Sequence, residues 1–96
     1  MTTAERYDLL RKSIPFVYKP NVLLLTRGIV HSGMDLDEVL RRVREFNDFR
    51  EENDPWREHD FGGIALDGNK IFWKIDDYGG QDGYDLVLTI MLAEEY

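Results

Sequence analysis

A chain of 96 residues carries one domain and not two, because single cores use on the order of 100 residues. With 43% apolar and 12% aromatic residues and only 3 prolines it has the material for a packed core, which excludes a disordered acidic tail. The net charge of −7 argues against generic binding to a phosphate backbone, which needs Lys and Arg. The absence of cysteine removes disulfide frameworks, thiolate metal sites, iron–sulfur ligation and cysteine nucleophiles together.

No apolar stretch approaches the roughly 20 residues of a membrane span. The first residues, MTTAERYDLLRK, lack the basic and then apolar plan of a signal peptide, so a soluble cytoplasmic protein is expected. The charge is uneven: residues 1–44 have a net charge of +3 and residues 45–96 of −10. No repeat, linker or low-complexity tract separates the halves, so residues 1–96 are read as a single globular domain of two polarities.

The first element is predicted as a helix near residues 3–13. Thr2 and Glu5 have capping-box spacing, and Tyr7, Leu10 and Ile14 recur at helical intervals up to Pro15. Pro15 and Pro20 bracket a connector containing Phe16, Val17 and Tyr18, too apolar to hang free. The run Val22 to Thr26 predicts a strand buried on both faces, with Gly28 at a bend or bulge before Ile29 and Val30. A second helix begins at an Asp35 cap with Glu38 at its third position. It buries Leu36, Val39, Leu40, Val43 and Phe46 and turns Arg41, Arg42 and Arg44 to solvent near its cation-favouring end.

The segment DFREENDPWREHDFGG has neither hydrophobic period and predicts a long loop, pinned to the domain by Trp56 and Phe61. IALDGNKIFWKID then predicts a hairpin turning at Asp67-Gly68, and LVLTIMLA a final strand after the glycine-rich stretch DDYGGQDGYD. Gly62-Gly63 and Gly79-Gly80 are read as turn residues. The order implies an α+β fold, with a mainly antiparallel sheet of about four strands and two helices packed on one face.

Signals for chemistry are sparse. Ser13 and Ser32 are the only serines, and His31 beside Ser32 matches no nucleophile motif. Neither phosphate-binding glycine signature is present. Asp54, Glu58, His59, Asp60, Asp76 and Asp77 could offer oxygen ligands to a hard cation if the loop folds against the hairpin. They lack the calcium-loop pattern, and one histidine makes a poor transition-metal site. His59, between Glu58 and Asp60, is favoured in a structural role, hydrogen-bonding the loop together. No catalytic residue, metal or cofactor is assigned.

The interaction reading is stronger. Asp48, Glu51, Glu52, Asp54, Glu58 and Asp60 place six carboxylates within 13 residues, diluted only by Arg50 and Arg57, and Asp76, Asp77, Asp82 and Asp85 follow. Such a surface attracts a basic partner and fits a groove built for phosphates; the plainer alternative is solubility alone.

The blocks FNDFREENDPWREHDFG, IFWKIDDY and VLTIMLAEEY resemble a small bacterial family known only as a domain of unknown function, whose members often occur with plasmids and other mobile elements. The likeness covers residues 46–96 well and Thr26-Arg27-Gly28 weakly. Members usually carry a longer insertion where this chain has GGQDGYDL. The motif positions here are Asn53, Asp54, Pro55, Glu58, His59, Asp60, Phe61, Trp73 and Lys74, and the resemblance implies no catalytic residues among them. Small acidic proteins of mobile elements resemble anti-restriction and anti-CRISPR inhibitors, which block DNA access.

The resulting expectation is a monomeric, non-enzymatic, DNA-mimicking inhibitor of a basic nucleic-acid-binding complex, with a CRISPR effector as the leading partner. It makes no direct contact with nucleic acid or membrane. Its expected partner-binding residues are Asp48, Glu51, Glu52, Asp54, Trp56, Glu58, Asp60, Asp76 and Asp77. The alternatives are a small metal-dependent hydrolase built on Glu58, His59 and Asp60, and a housekeeping interaction module.

Overall fold

Thr2 accepts a hydrogen bond from the Glu5 N–H while the Glu5 carboxylate accepts from the Thr2 N–H, and this capping box starts helix α1 (Thr3–Ser13) in the computed structural model, which describes residues 1–96. Strand β1 (Val22–Leu25) follows, then a single-turn helix α2 (Arg27–Val30) and helix α3 (Leu36–Arg44). The hairpin of β2 (Phe61–Leu66) and β3 (Asn69–Asp77) precedes β4 (Leu86–Leu92). Short 3-10 turns occupy Gln81–Gly83 and Ala93–Glu95.

The four strands form one mixed sheet in the order β1-β4-β3-β2. β2–β3 and β3–β4 are antiparallel, and β1 runs parallel to β4. The mainly antiparallel α+β architecture is therefore present, with α2 as a third helix that the sequence did not signal. In the hairpin, Asp67 and Gly68 both take positive φ, as a two-residue turn between right-twisted strands requires.

Alternation along the strands divides the sheet into two faces. Ile71, Trp73 and Ile75 of β3 and Leu86, Leu88 and Ile90 of β4 point toward the helices. There they meet Tyr7, Leu10 and Ile14 of the first helical segment, Ile29 of α2, and Val39, Leu40 and Val43 of α3. Each fully buried aliphatic side chain in this layer contributes about 2 kcal/mol. The other face has no helix over it. Phe61, Phe72 and Tyr96 form an edge-on aromatic cluster there, beside buried Val87 and Met91.

Two expectations change. The strand buried on both faces is β4, at the centre of the sheet; β1 is an edge strand with Leu24 48% exposed. A run of apolar residues does not reveal how many neighbours a strand has. Gly28 is neither bend nor bulge but lies inside α2, where the Glu95 carboxylate passes so close that a β-carbon would collide with it. Glu95 accepts from Thr26 Oγ1 at 2.6 Å, Leu92 N at 2.8 Å and Gly28 N at 3.0 Å, clasping the end of β1 to the end of β4.

These donors, the Thr26 hydroxyl first, hold the Glu95 carboxyl below its ordinary value of 4.5. The stability this contributes is present above the unfolded-state value and is lost as pH falls through the lower folded value. In urea titrations, wild type should therefore lose stability below pH ~4.5 more steeply than Glu95→Gln, since the amide has no proton to gain. Equal slopes would show that the clasp does not depend on ionisation.

Candidate functional site: the acidic loop and its pedestal

The connection from Asn47 to Asp60 is long and irregular, yet it is internally tied. Arg50 N donates to Asn53 Oδ1 at 2.7 Å, Asn53 Nδ2 to Asp48 O at 2.7 Å, and Asp54 N to Arg50 O at 2.7 Å. The Asp54 carboxylate then turns inward, 7% exposed, and accepts from the backbone N–H groups of Glu58 at 3.1 Å and His59 at 3.3 Å. This holds Arg57 (φ 54°) and His59 (φ 57°) in the left-handed region, at a cost of about 1 kcal/mol each for side chains that disfavour it.

A pedestal of alternating rings and charges carries the loop. The His59 ring stacks on Phe49 at 3.7 Å and nearly parallel. Its Nδ1–H donates to the Asp8 carboxylate, 3.0 Å from both oxygens, and its Nε2 lies 3.6 Å from Asp54 Oδ2. Asp8 also accepts from Arg11 Nη2 at 3.1 Å. Arg11 is 1% exposed; its guanidinium lies 5.4 Å from the Phe49 ring and 5.2 Å from the Trp73 ring, and donates to Val43 O at 2.9 Å and Arg44 O at 2.8 Å. A buried cation thus satisfies the last carbonyls of α3 while two aromatic rings flank it.

His59 has the structural role expected of it, but through partners remote in sequence. Its ring meets Asp8 and Asp54, not Glu58 or Asp60. Asp8, Arg11 and Phe49 were not signalled as site residues. Arg11 could have been found, because it falls on the buried stripe of α1, four residues after Tyr7 and three before Ile14.

The nine expected partner-binding residues separate into groups. Glu51, Glu52 and Glu58 are exposed on the loop and have no ion-pair partner, and Asp60 is half-buried beside them. Asp48 is held by Arg50 at 2.7 Å, Asp76 by Lys74 at 3.1 Å and Asp77 by Arg6 at 2.9 Å. Asp54 faces inward and cannot contribute to an acidic outer surface without the loop opening.

Trp56 does not pin the loop: it is 84% exposed, whereas Phe61 is half-buried at the start of β2. Pro55 and Arg57 beside it are also exposed, so this stretch of loop stands away from the domain. Gly62 and Gly63 likewise belong to β2 and not to a turn.

Asp77 and the loop share one electrostatic neighbourhood. Burial first, then the charges of Asp77 and Glu58, push the Tyr7 phenol up, with Asp60 adding to them and Arg6 opposing. Arg6 first, then the Gly79 N–H, hold the Asp77 carboxyl below its usual value. Asp76 points to the opposite face of the sheet with Lys74, so the carboxylates do not form one continuous face.

No three His, Asp or Glu side chains, those of Glu58, His59 and Asp60 included, form a group that could hold a metal ion. The Ser32 hydroxyl is engaged in its own turn, donating to Ile29 O and accepting from Met34 N. The three arginines near the end of α3 are not a free solvated face: Arg41 pairs with Glu38 and Glu45, Arg42 donates to Ala65 O, and Arg44 to Ile14 O. Asp35 caps α3 through the Asp37 N–H, which leaves Glu38 to Arg41. No helix is long and apolar enough to cross a membrane.

No curated protein and no solved structure matches the chain. The model of the family described as "Protein of unknown function (DUF3768)" matches residues 25–95, which takes in α3, the loop, the hairpin and the final strand, and the chain belongs to that family.

Proposed function

We propose that this protein is a non-enzymatic binding protein whose loop 47–60 docks on a basic partner surface through Trp56 and the carboxylates around it. The observation that carries the proposal is the exposure of Trp56, 84%, on a loop otherwise fixed by side-chain and backbone bonds. A large aromatic left in water costs solubility without stabilising the fold. Tryptophan is also the side chain most enriched at energetic centres of interfaces. Glu51, Glu52, Glu58 and Asp60 lie within five residues of it in the loop, their charge offset in part by Arg57 and by Arg50, which Asp48 also holds, and the excess of carboxylates favours a cationic counter-surface. Because the loop is already ordered, docking need not pay for ordering it.

The partner proposed is a nucleic-acid-binding complex, with a CRISPR effector of the host as its specific form, the carboxylates taking the place of phosphates and blocking DNA access. Support comes from the sign and clustering of the free charges, and from the resemblance to proteins associated with mobile elements.

Trp56→Ala should change the unfolding free energy by no more than about 0.5 kcal/mol, because the side chain touches little. Together with charge reversal at Glu51 and Glu52, it should abolish co-purification with a basic effector complex and relieve inhibition of DNA binding. Full inhibition by the folded triple variant would remove the loop from the mechanism.

A further inference from the structure

β2 is the outer strand of the sheet, and its composition is unusual for an edge: FGGIAL contains no charge to deter pairing. The bond from Ile75 N to Asp60 O sets the alternation of the ladder. Residues 62, 64 and 66 therefore bond to β3, while the backbone groups of Phe61, Gly63 and Ala65 point away from it. Of these outward groups only Ala65 O has a partner, Arg42 Nη2 at 3.0 Å.

Two grooves flank the strand. One, about 440 Å³, lies between β2 and the end of α3 and includes Arg42, Phe46 and Ile64. The other, about 410 Å³, lies on the open side and includes Gly63, Ala65 and Lys70. A strand added along β2 places alternate side chains into these two grooves.

The charges beside the edge indicate what such a strand carries. In the first groove Glu45 is held by Arg41 and Asp48 by Arg50, and Glu38, one turn back on α3, is also bound by Arg41, which leaves Arg42 as the cation without an ion pair. In the second, Lys70 lies over the Phe72 ring at 5.4 Å and forms no ion pair. On a chain of net charge −7, both sides of the unpaired edge thus present an unneutralised cation.

We propose that β2 is a docking edge for an extended acidic segment of another protein, which pairs with Phe61, Gly63 and Ala65 and places carboxylates against Arg42 and Lys70. Arg42 gives up Ala65 O to an N–H of the incoming strand and takes a carboxylate in exchange. The net negative charge opposes this at long range, but at physiological salt screening over about 8 Å leaves the local cations in control. This surface meets the loop at Asn47 and Asp48 but uses neither Trp56 nor the unpaired Glu51, Glu52 and Glu58, so either proposal can fail without the other.

The probe is a short capped peptide in which adjacent glutamate pairs are separated by single valines, so that carboxylates fall on both faces of the extended strand, with its lysine-for-glutamate counterpart as control, titrated into isotope-labelled protein and followed by backbone amide shifts. The glutamate peptide should bind saturably, with the largest shifts at Phe61, Gly63 and Ala65, and the lysine peptide should not. Gly63→Pro removes one outward N–H without touching the β2–β3 ladder, and should weaken binding at least about tenfold, as should Arg42→Glu. If Gly63→Pro does not fold, Arg42→Glu carries the test. No saturable binding up to about 1 mM, equal binding of the lysine peptide, shifts confined to other elements, or pairing of β2 with a second copy of the chain would each overturn the proposal.

Discussion

Replacing Arg11 with alanine should lower the unfolding free energy by about 3–5 kcal/mol, the range for breaking a buried charged pair by removing one partner. The deletion takes one donor from the Val43 and Arg44 carbonyls and from the Asp8 carboxylate, which keeps His59, and opens a gap beside the Phe49 and Trp73 rings. Arg11→Lys should recover only part of the loss, because a compact ammonium at the end of its stem cannot reach the Val43 and Arg44 carbonyls and the Asp8 carboxylate at once as the guanidinium fork does, nor replace its planar contact with the two rings. Urea titration measures both, and hydrogen exchange should show the loop around His59 opening before the sheet, since Asp8 links Arg11 to that ring. A loss below about 1 kcal/mol would mean that solvent reaches the site and replaces the missing donor.

The second large effect lies at Trp73, the largest fully buried side chain. Trp73→Ala should cost about 3–5 kcal/mol by deleting an indole from a closed core. Its coupling to Gly62 is more diagnostic. A β-carbon on Gly62 would run into the Trp73 ring and the Phe46 ring, and neither can yield within a packed layer. Gly62→Ala should therefore cost about 2–3 kcal/mol in the wild type. In a Trp73→Phe background it should cost much less, because the smaller ring vacates that volume and also removes the Trp73 Nε1–H, which is buried without an acceptor. Additive costs for the two substitutions would place the strain elsewhere.

Features decided within a few residues were legible in the sequence. The Thr2–Glu5 capping box, the Asp67-Gly68 turn and the alternation of Ile71, Trp73 and Ile75 each have a local cause, and each is present. What failed depended on distant neighbours. VLLL in β1 and LVLTIML in β4 are both apolar runs, and nothing within either tells which lies at the edge. Gly62 and Gly63 resembled a turn because the reason for Gly62, an indole supplied from β3, lies outside its own segment. In the candidate site the acidic loop was visible as composition. The pairings that neutralise Asp48, Asp76 and Asp77, and the inward turn of Asp54, were not: Asp77 depends on the distant Arg6 and Asp54 on the loop's own closure, while Arg50 and Lys74 each had several nearby carboxylates to choose from. Trp56 was misplaced because large aromatics are usually buried, whereas this one is carried by a stretch of loop that is closed by its own hydrogen bonds and stands clear of the core.

The parallel pairing of β1 with β4 also constrains how the chain can be assembled. β1 ends at Leu25, yet its only partner in the sheet is β4, which the ribosome makes after 60 intervening residues. The β2–β3 hairpin needs only its own turn and can form as soon as both strands are out. β1 must wait, carrying its leucines without a strand partner until β4 has been made. Closure of the sheet and of the Glu95 clasp is thus a single late event, and a chain released before β4 would hold a hairpin and three helical segments with no central strand to join them.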